Sequence, residues 1–179
     1  MWRRRILTAI AIGCLVASAT PARAHITLET GKAPIGAAYK AVFRIPHGCD
    51  GSATIKLRVE VPDGVIEVKP QPKPGWQVET IKGTYTTALT FEGTKLTTGV
   101  REVAWSGGKL PDEFYDEFVF EAFLTNSLTA GTAIYFPVIQ ECETGTERWI
   151  EIPAAGKTPD DYEHAAPALD LVPNAGSDD

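Results

Sequence analysis

Methionine is almost missing from this chain of 179 residues, occurring once at Met1, and cysteine occurs only three times. The first scarcity excludes a methionine-rich relay for soft metal ions, and the second excludes a small scaffold stapled by several disulfides. Basic charge is short as well: 17 Lys and Arg stand against 23 Asp and Glu, giving a net charge of −6. Nucleic-acid surfaces depend on clustered Lys and Arg to displace counterions, so DNA and RNA are excluded as partners. The G-x-S-x-G, H-E-x-x-H, C-x-x-C and phosphate-loop patterns are all absent, which leaves hydrolase and nucleotide chemistry without positive support. No apolar run reaches the roughly 20 residues that a membrane-spanning helix needs, and no internal repeat is visible.

What is present begins with a processing signal. Residues 1–24 have the layout of a secretory signal peptide: Arg3, Arg4 and Arg5, an apolar run from Ile6 to Ala19, and the small-residue pattern Ala22-Arg23-Ala24. Cleavage after Ala24 removes four arginines and no acid, leaving thirteen basic residues against 23 acidic ones, a charge of about −10. The expected product is soluble and periplasmic or secreted. Cys14 leaves with the signal, so Cys49 and Cys142 remain. Two thiols in an oxidising compartment suggest one disulfide, with a thiolate metal site as the rival reading.

The hydropathy pattern is that of strands. Ile55, Leu57, Val59 and Val61 alternate with Thr54, Lys56, Arg58 and Glu60, so one face is buried and the other wet. Further strands are expected at 39–45, 65–70, 77–82, 84–91, 100–105, 117–124, 133–140 and 147–152. Turn signals at Pro62-Asp63-Gly64, Pro74-Gly75, Gly83, Gly93 and Ser106-Gly107-Gly108 separate them. About nine short strands without a helical period between them predict an all-β, antiparallel β-sandwich of immunoglobulin-like or cupredoxin-like type, with a closed barrel as the alternative. Pro137 predicts an edge strand or a bulge within 133–140. The expected organisation is a signal at 1–24, a β-sandwich domain at 25–156 and a flexible acidic tail at 157–179, where Pro, Ala, Asp and Gly dominate.

His25 is the most informative residue, because the proposed cleavage makes it the first of the exported chain. Its free α-amine and its imidazole Nδ1 can then chelate one ion together, a pair of nitrogen donors that suits Cu(II) above other divalent ions. His47 follows a strand and precedes Cys49 by two residues, so a disulfide there would hold its imidazole on a fixed turn. His164 lies in the acidic tail and is read as solvent-facing. Trp76, Trp105 and Trp149 have the ordinary explanation of filling the space between sheets. The acidic cluster Asp112, Glu113, Asp116 and Glu117 reads as a charged strand entry on the solvated face rather than a cation cage or a catalytic pair.

Several segments together resemble the YcnI-like family of exported copper-binding domains: Ala24-His25-Ile26-Thr27-Leu28, the run from Arg44 through His47-Gly48-Cys49 to Ser52, Val61-Pro62-Asp63-Gly64-Val65, Lys73-Pro74-Gly75-Trp76, Pro137 through Cys142, and Trp149. The resemblance covers the chain from the cleavage point to about Pro153. It implies a β-sandwich that holds Cu(II) in a histidine brace at the mature N-terminus. His25 matches the first ligand, Trp149 matches a Trp that lies beside the metal, and His47 is the first choice for a further ligand, with Asp50 and Glu29 behind it. The function expected is Cu(II) capture, buffering or hand-over, with no enzymatic activity. The implied partners are the copper ion and another periplasmic copper carrier or a membrane copper transporter. A copper-dependent oxidase or monooxygenase and a metal-free β-sandwich interaction module are the alternatives.

Overall fold

The computed structural model describes residues 25–174 and 176. The proposed signal peptide and its cleavage point lie outside them. Twelve strands form three sheets, and no α-helix occurs among the described residues.

The first sheet has four strands: β1 (Thr27–Leu28), β3 (Ala37–Ile45), β8 (Asp116–Leu124) and β5 (Val65–Pro70), hydrogen-bonded in that order. The second has five: β11 (Thr146–Trp149), β10 (Val138–Cys142), β4 (Thr54–Glu60), β7 (Thr94–Leu110) and β6 (Gln77–Phe91). Every pairing within these two sheets is antiparallel. Alternation in the sequence becomes alternation in burial: Phe43, Phe118 and Phe120 from the first sheet meet Leu57, Val59 and Trp105 from the second, all with no exposed surface. The aromatic pairs pack edge-on or tilted, as Trp105 does on Phe118 at 5.5 Å and Phe43 on Phe120 at 5.5 Å between ring centroids.

Three expectations are corrected. Gly83 and Ser106-Gly107-Gly108 do not break strands, because β6 and β7 run through them as one long hairpin whose register shifts at Ile81/Lys82 and between Thr84 and Leu89. Gly108 instead makes room for an aromatic: a Cβ there would clash with the indole of Trp76, which packs edge-on against Phe118 at 4.9 Å. The run 133–140 is not one strand: its first part is an edge strand of a third sheet, as Pro137 suggested, but Pro137 itself lies between two strands. The chain changes sheets there, from β9 (Ala133–Tyr135) to β10, with Pro137 offering only its carbonyl, to Glu60 N at 2.9 Å.

The third correction concerns the segment expected to be a flexible tail. It contains β12 (Ala168–Val172), which runs parallel to β2 (Lys32–Pro34) and antiparallel to β9 in a three-stranded sheet. Leu169 and Leu171 are buried there, so the packed domain passes well beyond residue 156. The short alternation Leu169-Asp170-Leu171 was the available signal, masked by the Pro and Ala around it.

Candidate metal centre

One end of the sandwich collects the residues of interest. His25 immediately precedes Ile26, a fully buried anchor, and β1 then pairs with the end of β3 through Thr27 and Arg44. The start of the chain is thereby laid beside the turn that follows β3. His47 begins that turn, and its geometry follows from its sequence. Asp50 and Gly51 both have positive φ, 47° and 83°, the backbone that an Asp-Gly pair adopts readily in a two-residue reversal. Cys49 and Ser52 close it with two backbone hydrogen bonds of 2.9 and 2.8 Å. Gly48 is obligatory for packing, since a Cβ there would run into the Ser52 carbonyl oxygen. Its N–H donates to Asp112 Oδ1 at 2.9 Å. The Cys49–Cys142 disulfide then fastens the turn to the end of β10, so neither of these two cysteines offers a thiolate to an ion.

Gln140, entirely buried on β10, organises the interior of this end. Its Nε2 donates to the His47 carbonyl at 2.7 Å and to Thr54 Oγ1 at 2.8 Å, while its Oε1 accepts from Trp149 Nε1 at 3.0 Å. One amide thus fixes both the turn that carries His47 and the orientation of the indole. Nothing in the local sequence marks this Gln as more than a strand residue, and its role was missed for that reason.

Trp149 is buried on β11 and is the common neighbour of all three histidines. The His25 ring lies edge-on to it at 5.9 Å between centroids, the His47 ring edge-on at 6.3 Å, and the His164 ring tilted at 5.3 Å. The reading of His164 as a solvent-facing tail residue is corrected: its side chain is 36% exposed, and its Nε2 lies 2.7 Å from Glu147 Oε2. It reaches this position because the C-terminal segment returns along β11, where His164 N donates to Glu151 and Glu151 bridges to Ala165.

The remaining candidates are engaged elsewhere. Glu29 is ion-paired with Arg44 at 2.9 Å, and Asp50 occupies the exposed tip of its turn. The acidic cluster is largely tied down as well: Asp112 holds Gly48, Asp116 pairs with Lys73 at 2.8 Å and Glu117 with Arg44 at 3.4 Å.

Among the described residues, no group of three or more His, Cys, Asp or Glu side chains is arranged to hold a metal ion. A chelating N-terminal histidine needs no such group, because it contributes two nitrogens from one residue. The His25 imidazole suits that use. Its Nε2 is buried and has no hydrogen-bond partner among the described residues, an orphaned polar atom of the kind that marks a functional position. The nitrogen donors fit a borderline transition ion better than Ca²⁺ or Mg²⁺, which take oxygen ligands.

Two packed antiparallel sheets with a histidine-rich end define an immunoglobulin-like β-sandwich. Across residues 25–171 the chain matches the family model described as a domain of unknown function, DUF1775, and it belongs to that family. It is also similar to a solved structure, an uncharacterized protein from Nocardia farcinica described as having an immunoglobulin-like fold. That comparison has a TM-score of 0.61 and 23% sequence identity, and it covers 83% of this chain and 98% of the other. No curated protein matches the chain.

Proposed function

We propose that this protein binds Cu(II) outside the cytoplasm and passes it on, the ion being held by the α-amine and Nδ1 of His25 with an imidazole beside Trp149 completing the set. The observation that carries the reading is the convergence on one buried indole of imidazoles from separate parts of the chain, one of them belonging to the residue that the expected cleavage would make the N-terminus. Trp149 shields the ion from water on one side and lowers the local dielectric. The donor set is nitrogen-based, the cysteines are joined to each other, and methionine is absent after position 1. These features favour carriage of Cu(II) over a blue-copper electron-transfer centre, which requires a cysteine ligand. The ion is cargo in this reading, and the recipient is another copper carrier or a membrane transporter.

The test uses exported protein whose start at His25 has been verified by intact mass. Cu(II) is titrated in competition with a chelator into this protein, into His25→Ala, and into a form carrying one extra residue ahead of His25. Tight binding is expected in the first alone. Equal binding by all three would refute the chelate.

A further inference from the structure

Outside the core between the two main sheets lies a second, smaller apolar cluster. On β5, Val65 points into the main core, so the next residue, Ile66, points to the outer face of the sheet. Ile66 nevertheless has no exposed surface. Its partner on that face is Phe123 of β8, and the ring of Phe91, from the end of the β6–β7 hairpin, packs on Phe123 at 4.9 Å between centroids. The hairpin end therefore bends across the outside of the first sheet. It does so at Phe123, the opposite end of β8 from Asp116, which pairs with Ile45 just ahead of the His47 turn.

Three features set residues 86–97 apart from the rest of the hairpin. The ladder is interrupted between Thr84, paired with Thr98, and Leu89, paired with Leu96, so that residues 85–88 face residue 97 alone. At the root of this gap Gly83 stands opposite Gly99, and the buried Tyr85 takes the space that a Cβ on Gly99 would need. Arg101 lies over the Tyr85 ring at 5.9 Å, which fixes the root. Beyond it the packing is loose. Cavities of about 370 and 350 Å³ flank Phe91, one reaching Thr125 and Asn126 and the other Glu67 and Lys69. Protein interiors are close-packed, so an element bordered by gaps on two sides is held by few contacts. The polar tie to the body is also exposed: Asp63, in the turn before β5, accepts hydrogen bonds from Thr86 and from Arg101 Nη1, the latter at 2.7 Å. The Asp63 side chain is 46% exposed, so water competes for that tie.

We infer that residues 86–97 form a strap that lifts from the first sheet while the sandwich stays folded, turning at the ladder gap beyond Tyr85. Lifting parts Phe91 from Phe123 and Thr86 from Asp63. It joins the two cavities into one apolar groove floored by Ile66 and Phe123, and leaves both main sheets and the histidine end in place. The strap is a cover over that groove, and the inference is independent of the Cu(II) reading.

The experiment uses protein beginning at His25, whose two cysteines are joined to each other, so that one added thiol reports alone. Ile66→Cys places that thiol under the strap, and Val65→Cys places it in the main core on the neighbouring residue. Labelling with a maleimide in native buffer is expected to be at least about 100-fold faster for Ile66→Cys, because lifting the strap is a smaller opening than unfolding the sandwich. The Ile66→Cys rate should also respond weakly to low urea, since little surface is exposed in the opening. Adding Asp63→Ala should raise it by about 5- to 10-fold. Equal rates for the two thiols, or an Ile66→Cys rate untouched by Asp63→Ala, would overturn the strap. Should either cysteine variant fail to fold by circular dichroism, backbone hydrogen exchange in the parent decides. Amides paired between 89–91 and 94–96 are then expected to exchange at least about 100-fold faster than those paired between 77–81 and 102–106. Equal protection in the two halves of the hairpin would overturn the inference.

Discussion

Replacing Gln140 by Leu tests whether this end of the sandwich is organised by one buried amide. The two side chains are close in size, so the substitution creates little cavity and isolates the polar contribution. Three hydrogen bonds disappear, leaving the His47 carbonyl, Thr54 Oγ1 and Trp149 Nε1 without their partner in a region closed to water. Each orphaned buried group costs about 1–3 kcal/mol. Some relaxation of Thr54 and of the turn is expected, so a combined loss of about 3–5 kcal/mol is the working figure. For a domain of this size that corresponds to a fall in Tm of roughly 6–20 °C. Urea denaturation followed by tryptophan fluorescence gives the free energy, and repeating it on Trp149→Phe and on the double variant gives the coupling. Trp149→Phe removes one of the three donors and acceptors, so the two substitutions should be non-additive by about 1 kcal/mol or more. A loss below about 1 kcal/mol for Gln140→Leu, or strict additivity with Trp149→Phe, would refute the idea that the amide joins the indole to the His47 turn.

Other regions yield sharper single measurements. Reduction of the disulfide, or the Cys49→Ala/Cys142→Ala double variant, frees a loop spanning 93 positions and should cost about 4–5 kcal/mol on the loop-entropy model, read as a lower urea midpoint. Ending the chain after residue 156 removes Leu169 and Leu171 from the core, a loss of about 1.5–3 kcal/mol each before the exposed β2 and β9 edges are counted; a truncated protein with parental stability would contradict the packed C-terminal strand. Tyr39 is buried and donates to the Thr30 carbonyl at 2.7 Å, and burial pushes its phenol well above the ordinary value near 10. Because the unfolded phenol ionises first, its contribution is complete below pH 10 and declines as pH rises beyond it, by up to about 1.4 kcal/mol per pH unit. Tyr39→Phe should flatten that alkaline decline, as measured by the urea midpoint between pH 9 and 11.

The alternation of Leu57 and Val59 with charged neighbours, and of Phe118 and Phe120 with theirs, was enough to place both main sheets, because each strand has one dry face and one wet face. The sequence was misleading where glycine serves packing rather than turning. Gly108 sits inside a long strand because the ring of Trp76, just ahead of the facing hairpin strand, needs its space, and spacing along the sequence carries no trace of such a partner. Pro137 punctuates the run 133–140, but whether a proline ends an edge or transfers the chain between sheets depends on what lies across it. The Asp50-Gly51 reversal was legible as a turn, and the Cys pair as a bridge, since both follow from local backbone preference and from cysteine arithmetic.

The histidine cluster was only half visible, and the reason is topological. His25 and His47 lie near one another because β1 pairs with the end of β3, a contact between close segments that strand spacing makes reasonable. His164 arrives by a route with no local signature: the chain leaves β11, makes one 3-10 turn at Pro159–Asp161, and comes back along its own edge before entering β12. Composition around His164 is that of a solvated tail, and the polar residues there do face water. What holds the segment is the pair of leucines in β12 and the Glu147 and Glu151 contacts, each supplied by residues distant in sequence. Placing a histidine on such a returning segment has a physical consequence. Its position depends on the packing of β12 against β2 and β9, so the stability of the C-terminal strand and the geometry around Trp149 are coupled.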